Sequence, residues 1–133
     1  MRLIGKKYKV NKNKTLKDSF FHAYEGINYA VTKERNMHIH VSVSVLVIVA
    51  GALFRISYTE WLICLLLIGL VMSLELVNTS IEAVVDMITT REDPVAKVAK
   101  DASAGAVLIS SIISAIIGFA IFLPKIFDFI TNL

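Results

Sequence analysis

Hydrophobic residues are concentrated in three runs along the chain, and each run approaches the length of a membrane-spanning helix. The runs cover residues 39–54, 61–77 and 102–123, and Glu75 alone interrupts the second. A helix rises about 1.5 Å per residue and a bilayer core is about 30 Å thick, so one span takes about 20 residues. Because the first two runs are shorter, we expect their helices to continue into the flanking residues. The pattern predicts spans at about 35–55, 60–89 and 101–123.

A different pattern precedes the first span, over residues 15–31. Apolar residues recur there at spacings of three and four, with charged and amide residues between them. This spacing is typical of an amphipathic helix, which we expect to lie on the membrane surface. Residues 6–14 are basic and unpatterned, and we expect them to be mobile. The apolar positions of the amphipathic segment are Leu16, Phe20, Ala23, Ile27, Ala30 and Val31.

Composition supports an all-α membrane protein built as one domain over residues 1–133. Hydrophobic residues make up 56% of the chain and the mean hydropathy is +0.67, with only two prolines and six glycines. This length leaves no room for a second domain. No early apolar run ends in a small-residue cleavage site, so we expect insertion into the membrane rather than secretion. The lone cysteine, Cys64, excludes an intramolecular disulfide framework.

Lysine and arginine residues are distributed unevenly between the segments that flank the spans. Nine of the fourteen precede the first span and three lie between the second and third. Arg55 alone separates the first two spans, and Lys125 follows the third. The positive-inside rule therefore places the N-terminus and the 89–101 loop in the cytoplasm of a multi-pass cell-membrane protein. Anionic lipid headgroups account for the basic excess, so nucleic acid is not expected as a partner.

Four polar residues lie at one end of the second span: Glu75, Asn78, Glu82 and Asp86. Their spacing of 0, 3, 7 and 11 places them within about 80° of one helix face. We call this set the polar stripe. A helix that has reached water also carries polar residues, but Glu75 follows fourteen apolar helical positions, about 21 Å, and should still lie inside the membrane. Ionisable groups at that depth are costly, so the polar stripe indicates a functional site.

The chemistry of the polar stripe suggests phosphate transfer with a divalent cation. Carboxylates with an amide between them can hold a hard cation and leave one carboxylate to act as a base. Lys97, Lys100 and Asp101 follow Pro94 at the start of the third span, where a lysine is suited to neutralise phosphoryl oxygens. Glu34, at the cytoplasmic start of the first span, is a further candidate metal ligand.

Other motifs limit the possible functions. The sequence has no glycine-rich phosphate loop and no Cys/His metal spacing. His38 and His40 lie two residues apart on different helix faces, so we expect interfacial capping rather than joint metal binding. A non-enzymatic helical membrane assembly, with a carboxylate-lined cation path, is the alternative. This alternative explains Glu75 and Glu82 but gives Lys100 and Asp101 no role.

Three strings of this sequence resemble one known family. They are ERNMHIH at 34–40, ELVNTSIEAVVD at 75–86 and AKVAKDASAGAVLI at 96–109. They closely resemble the integral-membrane prokaryotic diacylglycerol kinase family, including its undecaprenol kinase branch, over about residues 20–121. The resemblance implies a homotrimer of three-span subunits, each with a surface helix, and active sites shared between neighbours. It also implies transfer of the γ-phosphate of MgATP to the hydroxyl of a membrane lipid.

The resemblance implies a role for each polar residue of the site. Glu75 would be the general base that takes the lipid hydroxyl proton. Glu34 and Glu82 would hold Mg²⁺, and Asn78 would position phosphate or metal.

The remaining residues would bind the nucleotide. Lys100 would neutralise the transferring phosphate, and Asp86 and Asp101 would complete the nucleotide site. The diacylglycerol-specific branch has an arginine and a tyrosine on the surface helix, where this chain has Thr15 and His22. This departure puts nucleotide contacts from that helix in doubt. It also makes undecaprenol the expected lipid, with diacylglycerol as second choice.

Overall fold

Four helices make up the part of the chain that the structure describes, residues 15–132 of a computed structural model. The predicted all-α class is confirmed, with no strand between residues 15 and 132. The basic segment 6–14 lies outside the described residues. Helices α2, α3 and α4 are each long and apolar enough to cross a membrane. The elements are α1 (Leu16–Lys33), α2 (Arg35–Leu53), α3 (Tyr58–Ile88) and α4 (Pro94–Thr131).

Helix α1 has the one-sided apolar surface expected of an interfacial helix. Thr15 begins it with a capping box, in which its Oγ1 accepts from the Asp18 amide at 3.2 Å. Ala30 is its one buried residue. Glu34 is the sole non-helical residue between α1 and α2. Large apolar side chains spaced three or four residues apart stay exposed on α1, as a membrane surface would require: Leu16, Phe20, Tyr24 and Ile27.

Helices α2 and α3 form a hairpin that depends on a close approach at Gly51. A Cβ atom at this buried position would lie 2.8 Å from Cη2 of Trp61, so only glycine fits without displacing the indole. The Ile56 amide donates to the Gly51 carbonyl at 3.1 Å and closes the end of α2. Arg55 adopts the left-handed conformation there, with φ of 50°. The hairpin sets α2 beside the first turns of α3.

Helix α4 begins earlier than the apolar run predicted. Oδ1 of Asp93 accepts from the Val95 and Ala96 amides at 2.8 and 2.9 Å, and Pro94 occupies the first turn, where its missing N–H is harmless. The predicted loop over 89–101 is therefore wrong, since only residues 89–93 separate α3 from α4. Its 38 residues make α4 about 57 Å long, so it extends beyond a 30 Å bilayer core.

Packing within the described residues centres on α3, which contacts α4 most extensively and also contacts α1 and α2. Lys125 Nζ lies 3.1 Å from Glu60 Oε1 and ties the start of α3 to the end of α4. Large apolar residues remain exposed on every helix, which suits a chain surrounded by lipid. Cys64 is buried and packs between helices. The apolar residues buried between the helices are Ala30, Met37, Ile56, Cys64, Val71 and Val107.

Candidate active site

Glu75 is the most deeply enclosed member of the polar stripe. It is 1% exposed, and its Oε2 atom has no hydrogen-bond partner within residues 15–132. His40 Nε2, on α2, lies 3.9 Å from that oxygen, and the Asn36 side chain approaches the same carboxylate. The charges of Glu34 and Glu82 are close enough to act on it. The Oε2 atom of this enclosed carboxylate therefore keeps hydrogen-bond acceptor sites that no described residue uses.

Asn78 lies one turn further along α3 and connects two helices. Its Oδ1 accepts from the Ser103 hydroxyl of α4 at 2.7 Å, and its Nδ2 donates to Glu82 Oε1 at 3.1 Å. Asn78 and Ser103 are 5% and 8% exposed, so water does not compete for these bonds. The Glu82 carboxylate only accepts hydrogen bonds, so it fixes Nδ2 as the end of the Asn78 amide that faces it. The predicted stripe is therefore held in place by α4.

Lys100 joins the outer end of the stripe. Its Nζ lies 2.5 Å from Asp86 Oδ1, and its carbonyl lies 2.9 Å from the Ser103 hydroxyl. Asp86 is well exposed, whereas Glu75 is enclosed. The stripe therefore runs from a buried end at Glu75, the dry end, to a solvent-exposed end at Asp86, the wet end. Three carboxylates and one amide of α3, together with one lysine of α4, thus form a single line about 16 Å long.

Two groups of predicted residues stand apart from this line. Asp101 is exposed and pairs with Lys97 one turn before it, on a face about 160° from Ser103. On α1, Thr15 caps its own helix, and His22 Nδ1 pairs with Glu25 Oε2 at 3.0 Å. None of these contacts leads to the polar stripe.

A magnesium site must be built here from few protein ligands. Between residues 15 and 132, no three His, Cys, Asp or Glu side chains converge on a position for a metal ion. Mg²⁺ is usually held by one or two carboxylates together with water and substrate phosphates. Glu82 gives one oxygen to Asn78 and keeps its other acceptor sites, and Glu34 is half-buried near enough to Glu75 for the two charges to interact. This donor set fits a magnesium ion that arrives with a nucleotide.

Comparison with known proteins decides the class of this site. The family model for prokaryotic diacylglycerol kinase matches residues 21–122, which include the whole polar stripe and Lys100. The chain belongs to the prokaryotic diacylglycerol kinase family. It is 49% identical to undecaprenol kinase of Bacillus subtilis (strain 168) over 108 residues, which are 81% of this chain and 88% of the relative. It is 38% identical to diacylglycerol kinase of Synechocystis sp. over 109 residues, which are 81% of this chain and 62% of that relative.

Membership of this kinase family has direct consequences for the predictions. The chain is a membrane-embedded lipid kinase, a phosphotransferase with an alcohol acceptor and ATP as co-substrate. The lipid kinase hypothesis is therefore preferred to the alternative of a non-enzymatic helical assembly with a carboxylate-lined cation path. The expected resemblance to the family, with its undecaprenol kinase branch, is confirmed.

The structure adds three residues that sequence reasoning did not assign to the kinase site. Ser103 lies within the string that carried the family resemblance, three residues after Lys100, where i and i+3 share a helix face. Asn36 approaches the buried carboxylate from the start of α2. His40 was expected to be an interfacial cap, but it faces Glu75, whereas His38 is exposed on another face. No signal in the sequence alone fixes the rotation of α2 that turns His40 inward.

Proposed function

We propose that this kinase transfers the γ-phosphate of MgATP to the hydroxyl of undecaprenol and so makes undecaprenyl phosphate. The observation that carries the proposal is the 49% identity to an undecaprenol kinase over 88% of that relative. Diacylglycerol, which would give phosphatidic acid, is the second candidate because a diacylglycerol kinase is 38% identical. Both acceptors present a hydroxyl at the membrane surface while their hydrocarbon stays in the bilayer.

In the proposed reaction, Glu75 is the general base. The lipid hydroxyl oxygen attacks the γ-phosphorus, and its proton passes to the Glu75 carboxylate. The bond from the γ-phosphorus to the bridging oxygen breaks, and its electron pair leaves with ADP, without a phosphoenzyme. The buried, unpartnered Oε2 of Glu75 supports this role, because an oxygen without a protein donor is free to accept from the substrate.

The other stripe residues would hold the nucleotide. Glu34 and Glu82 would bind Mg²⁺, which supplies positive charge to the phosphoryl oxygens. Asn78, fixed by Ser103, would position phosphate or metal, and Lys100 would neutralise the transferring phosphate.

Two acidic residues would complete the nucleotide site. Asp86 holds Lys100 in reach of the stripe. Asp101 lies on another face of α4, where it would serve a site built with a neighbouring subunit.

The assembly that we propose is a homotrimer with active sites shared between neighbours. Its support is the space left around two membrane glycines: a Cβ at Gly69 or Gly105 would meet no side chain and no neighbouring helix of the described chain within 4 Å. This chain's own packing therefore does not require glycine at these positions, and small residues allow helices of other subunits to approach closely. The particle mass in detergent tests the trimer, and a monomer mass would contradict it.

The proposed orientation places the N-terminus, residues 89–93 and the wet end of the stripe in the cytoplasm, where ATP is available. The distribution of lysine and arginine supports it, with nine of fourteen before the first span.

Labelled ATP tests the function directly. Purified protein in mixed micelles with Mg²⁺ is given undecaprenol, diacylglycerol or ceramide in separate reactions. We expect label to enter the lipid fraction, with undecaprenol the best acceptor. Label transfer to diacylglycerol alone would favour the second candidate function, phosphorylation of diacylglycerol. Cation flux through vesicles in the absence of ATP, with no label transfer to any lipid, would instead support the non-enzymatic alternative.

A further inference from the structure

The unpartnered oxygen of Glu75 needs an explanation that the protein itself does not supply. A buried polar atom without a hydrogen bond is rare and costs free energy. Glu75 Oε2 is such an atom within the described part of the chain, on a side chain that is 1% exposed. Its nearest cationic candidate, His40 Nε2, lies at 3.9 Å, beyond hydrogen-bonding distance. A small polar group from a ligand would satisfy both atoms.

The 3.9 Å between Glu75 Oε2 and His40 Nε2 is a separation that one hydroxyl group can bridge. Hydrogen bonds to a hydroxyl oxygen are about 2.8 Å long. An oxygen at that distance from both Glu75 Oε2 and His40 Nε2 would subtend an angle of about 90° between them, which a bent hydroxyl accommodates. The His40 side chain is 17% exposed, so part of its surface is accessible to a ligand.

An apolar groove leads to this pair of side chains. It has a volume of about 690 Å³, lies between α2, α3 and α4, and includes His40 in its lining. Ser44, its polar neighbour on α2, donates its hydroxyl hydrogen to the His40 carbonyl at 2.7 Å, so that hydrogen is not available to a ligand. The groove is therefore mostly apolar, and besides His40 its lining includes the hydroxyls of Ser44, Ser111 and Ser114. Of these polar groups, the His40 imidazole is the one that adjoins the Glu75 carboxylate. Among its apolar lining residues are Val43, Val47, Leu67, Val71 and Phe119.

We propose that His40 binds the hydroxyl oxygen of the acceptor lipid, with the adjoining hydrocarbon chain in the α2–α3–α4 groove. This inference rests on the proposed function. His40, in the tautomer that carries hydrogen on Nε2, donates to one lone pair of the hydroxyl oxygen. The hydroxyl donates its proton to Glu75 Oε2, which leaves the second lone pair directed at the γ-phosphorus. Two protein contacts of opposite polarity therefore orient the attacking oxygen.

Replacement of His40 separates this role from packing. His40→Leu keeps an apolar side chain of moderate size and removes the donor, whereas His40→Gln keeps an N–H donor at similar reach. His38→Leu, on an exposed face two residues earlier, is the matched control. Activity is measured in mixed micelles with varied undecaprenol at saturating MgATP, and then with varied ATP.

We expect kcat/KM for undecaprenol to fall about tenfold or more in His40→Leu, as for loss of one buried hydrogen bond. His40→Gln should recover to within about threefold of wild type, and His38→Leu should match wild type. KM for ATP should change by less than about twofold in all three, because the contact is to the lipid. An unchanged kcat/KM for undecaprenol in His40→Leu, or equal losses in the Leu and Gln variants, would overturn the assignment.

A lipid ether supplies an independent readout. The methyl ether of undecaprenol keeps the oxygen that accepts from His40 and lacks the proton that Glu75 takes. It should inhibit wild type competitively against undecaprenol, with a Ki about tenfold higher in His40→Leu than in wild type or His38→Leu. Equal Ki values in all variants would overturn the His40 contact while the kinase activity stands. Absence of lipid-dependent label transfer in wild type would instead overturn the proposed function. If the ether also failed to bind wild type, binding of the lipid chain in the groove would be overturned as well.

Discussion

The bond between Ser103 and Asn78 offers a sharp test of how α4 supports the site. Ser103→Ala removes one hydroxyl and leaves Asn78 Oδ1, which accepts from it at 2.7 Å, without that partner. Asn78 is 5% exposed, so water has little access to replace the bond. We expect Ser103→Ala to weaken both the fold and the binding of MgATP.

The expected loss in the free energy of unfolding follows from the burial of Asn78. An orphaned buried acceptor costs about 1–3 kcal/mol in soluble proteins, while measured hydrogen bonds between membrane helices average about 0.6 kcal/mol. We therefore expect the free energy of unfolding to fall by about 1 kcal/mol. The freed Asn78 amide no longer presents Nδ2 reliably to Glu82 Oε1 at 3.1 Å, which should raise KM for MgATP about two- to tenfold.

Ser110→Ala is the matched control on the same helix. Ser110 is 6% exposed, close to the 8% of Ser103, but its hydroxyl donates only to the Val107 carbonyl of its own helix at 2.8 Å. Its loss should cost about 0.5 kcal/mol or less, because the helical ladder remains intact. Both variants are compared by circular dichroism during denaturation in mixed micelles, and by ATP titration. Equal unfolding midpoints and equal KM values would refute the supporting role of Ser103.

Three further predictions concern the metal, the phosphate and the hairpin. Glu82→Gln should raise the Mg²⁺ concentration for half-maximal activity, because the variant loses a charged ligand; an unchanged magnesium titration would exclude Glu82 as a ligand. Lys100→Met should lower kcat/KM for ATP about 100-fold or more, as for other lost phosphate-stabilising groups, and near-normal kinetics would contradict that role. Gly51→Ala should lower the free energy of unfolding by about 1–3 kcal/mol, since its Cβ would lie 2.8 Å from Trp61. Gly118→Ala, with open space around the added atom, should cost less in the same denaturation assay.

The polar stripe could be predicted from the sequence because its members share one helix. Once α3 is helical, the spacing of Glu75, Asn78, Glu82 and Asp86 alone places them on one face. The contacts of that face could not be predicted, because they depend on how neighbouring helices are rotated about their axes. Ser103 and His40 reach the stripe from α4 and α2 only through that rotation.

The early start of α4 was missed for a different reason. The sequence carries the signal, since Asp93 followed by Pro94 is a typical helix start, with an acidic N-cap and proline in the first turn. The apolar run begins only at residue 102, so hydrophobicity alone predicts that Pro94 lies in a loop. Hydrophobicity marks where a helix enters the membrane, whereas capping marks where the helix begins. In α4 these two positions are separated by eight residues.

We propose that Glu75, at the enclosed end of the polar stripe, activates a lipid hydroxyl. Glu75→Gln tests it most directly, because glutamine fills the same buried volume but cannot take the proton. Wild type and variant are compared in the same micelles for label transfer from ATP to undecaprenol, and in parallel for ATP binding. We expect transfer to fall about 10²–10⁴-fold while ATP binding and particle mass stay unchanged. Transfer by Glu75→Gln at close to the wild-type rate would contradict it.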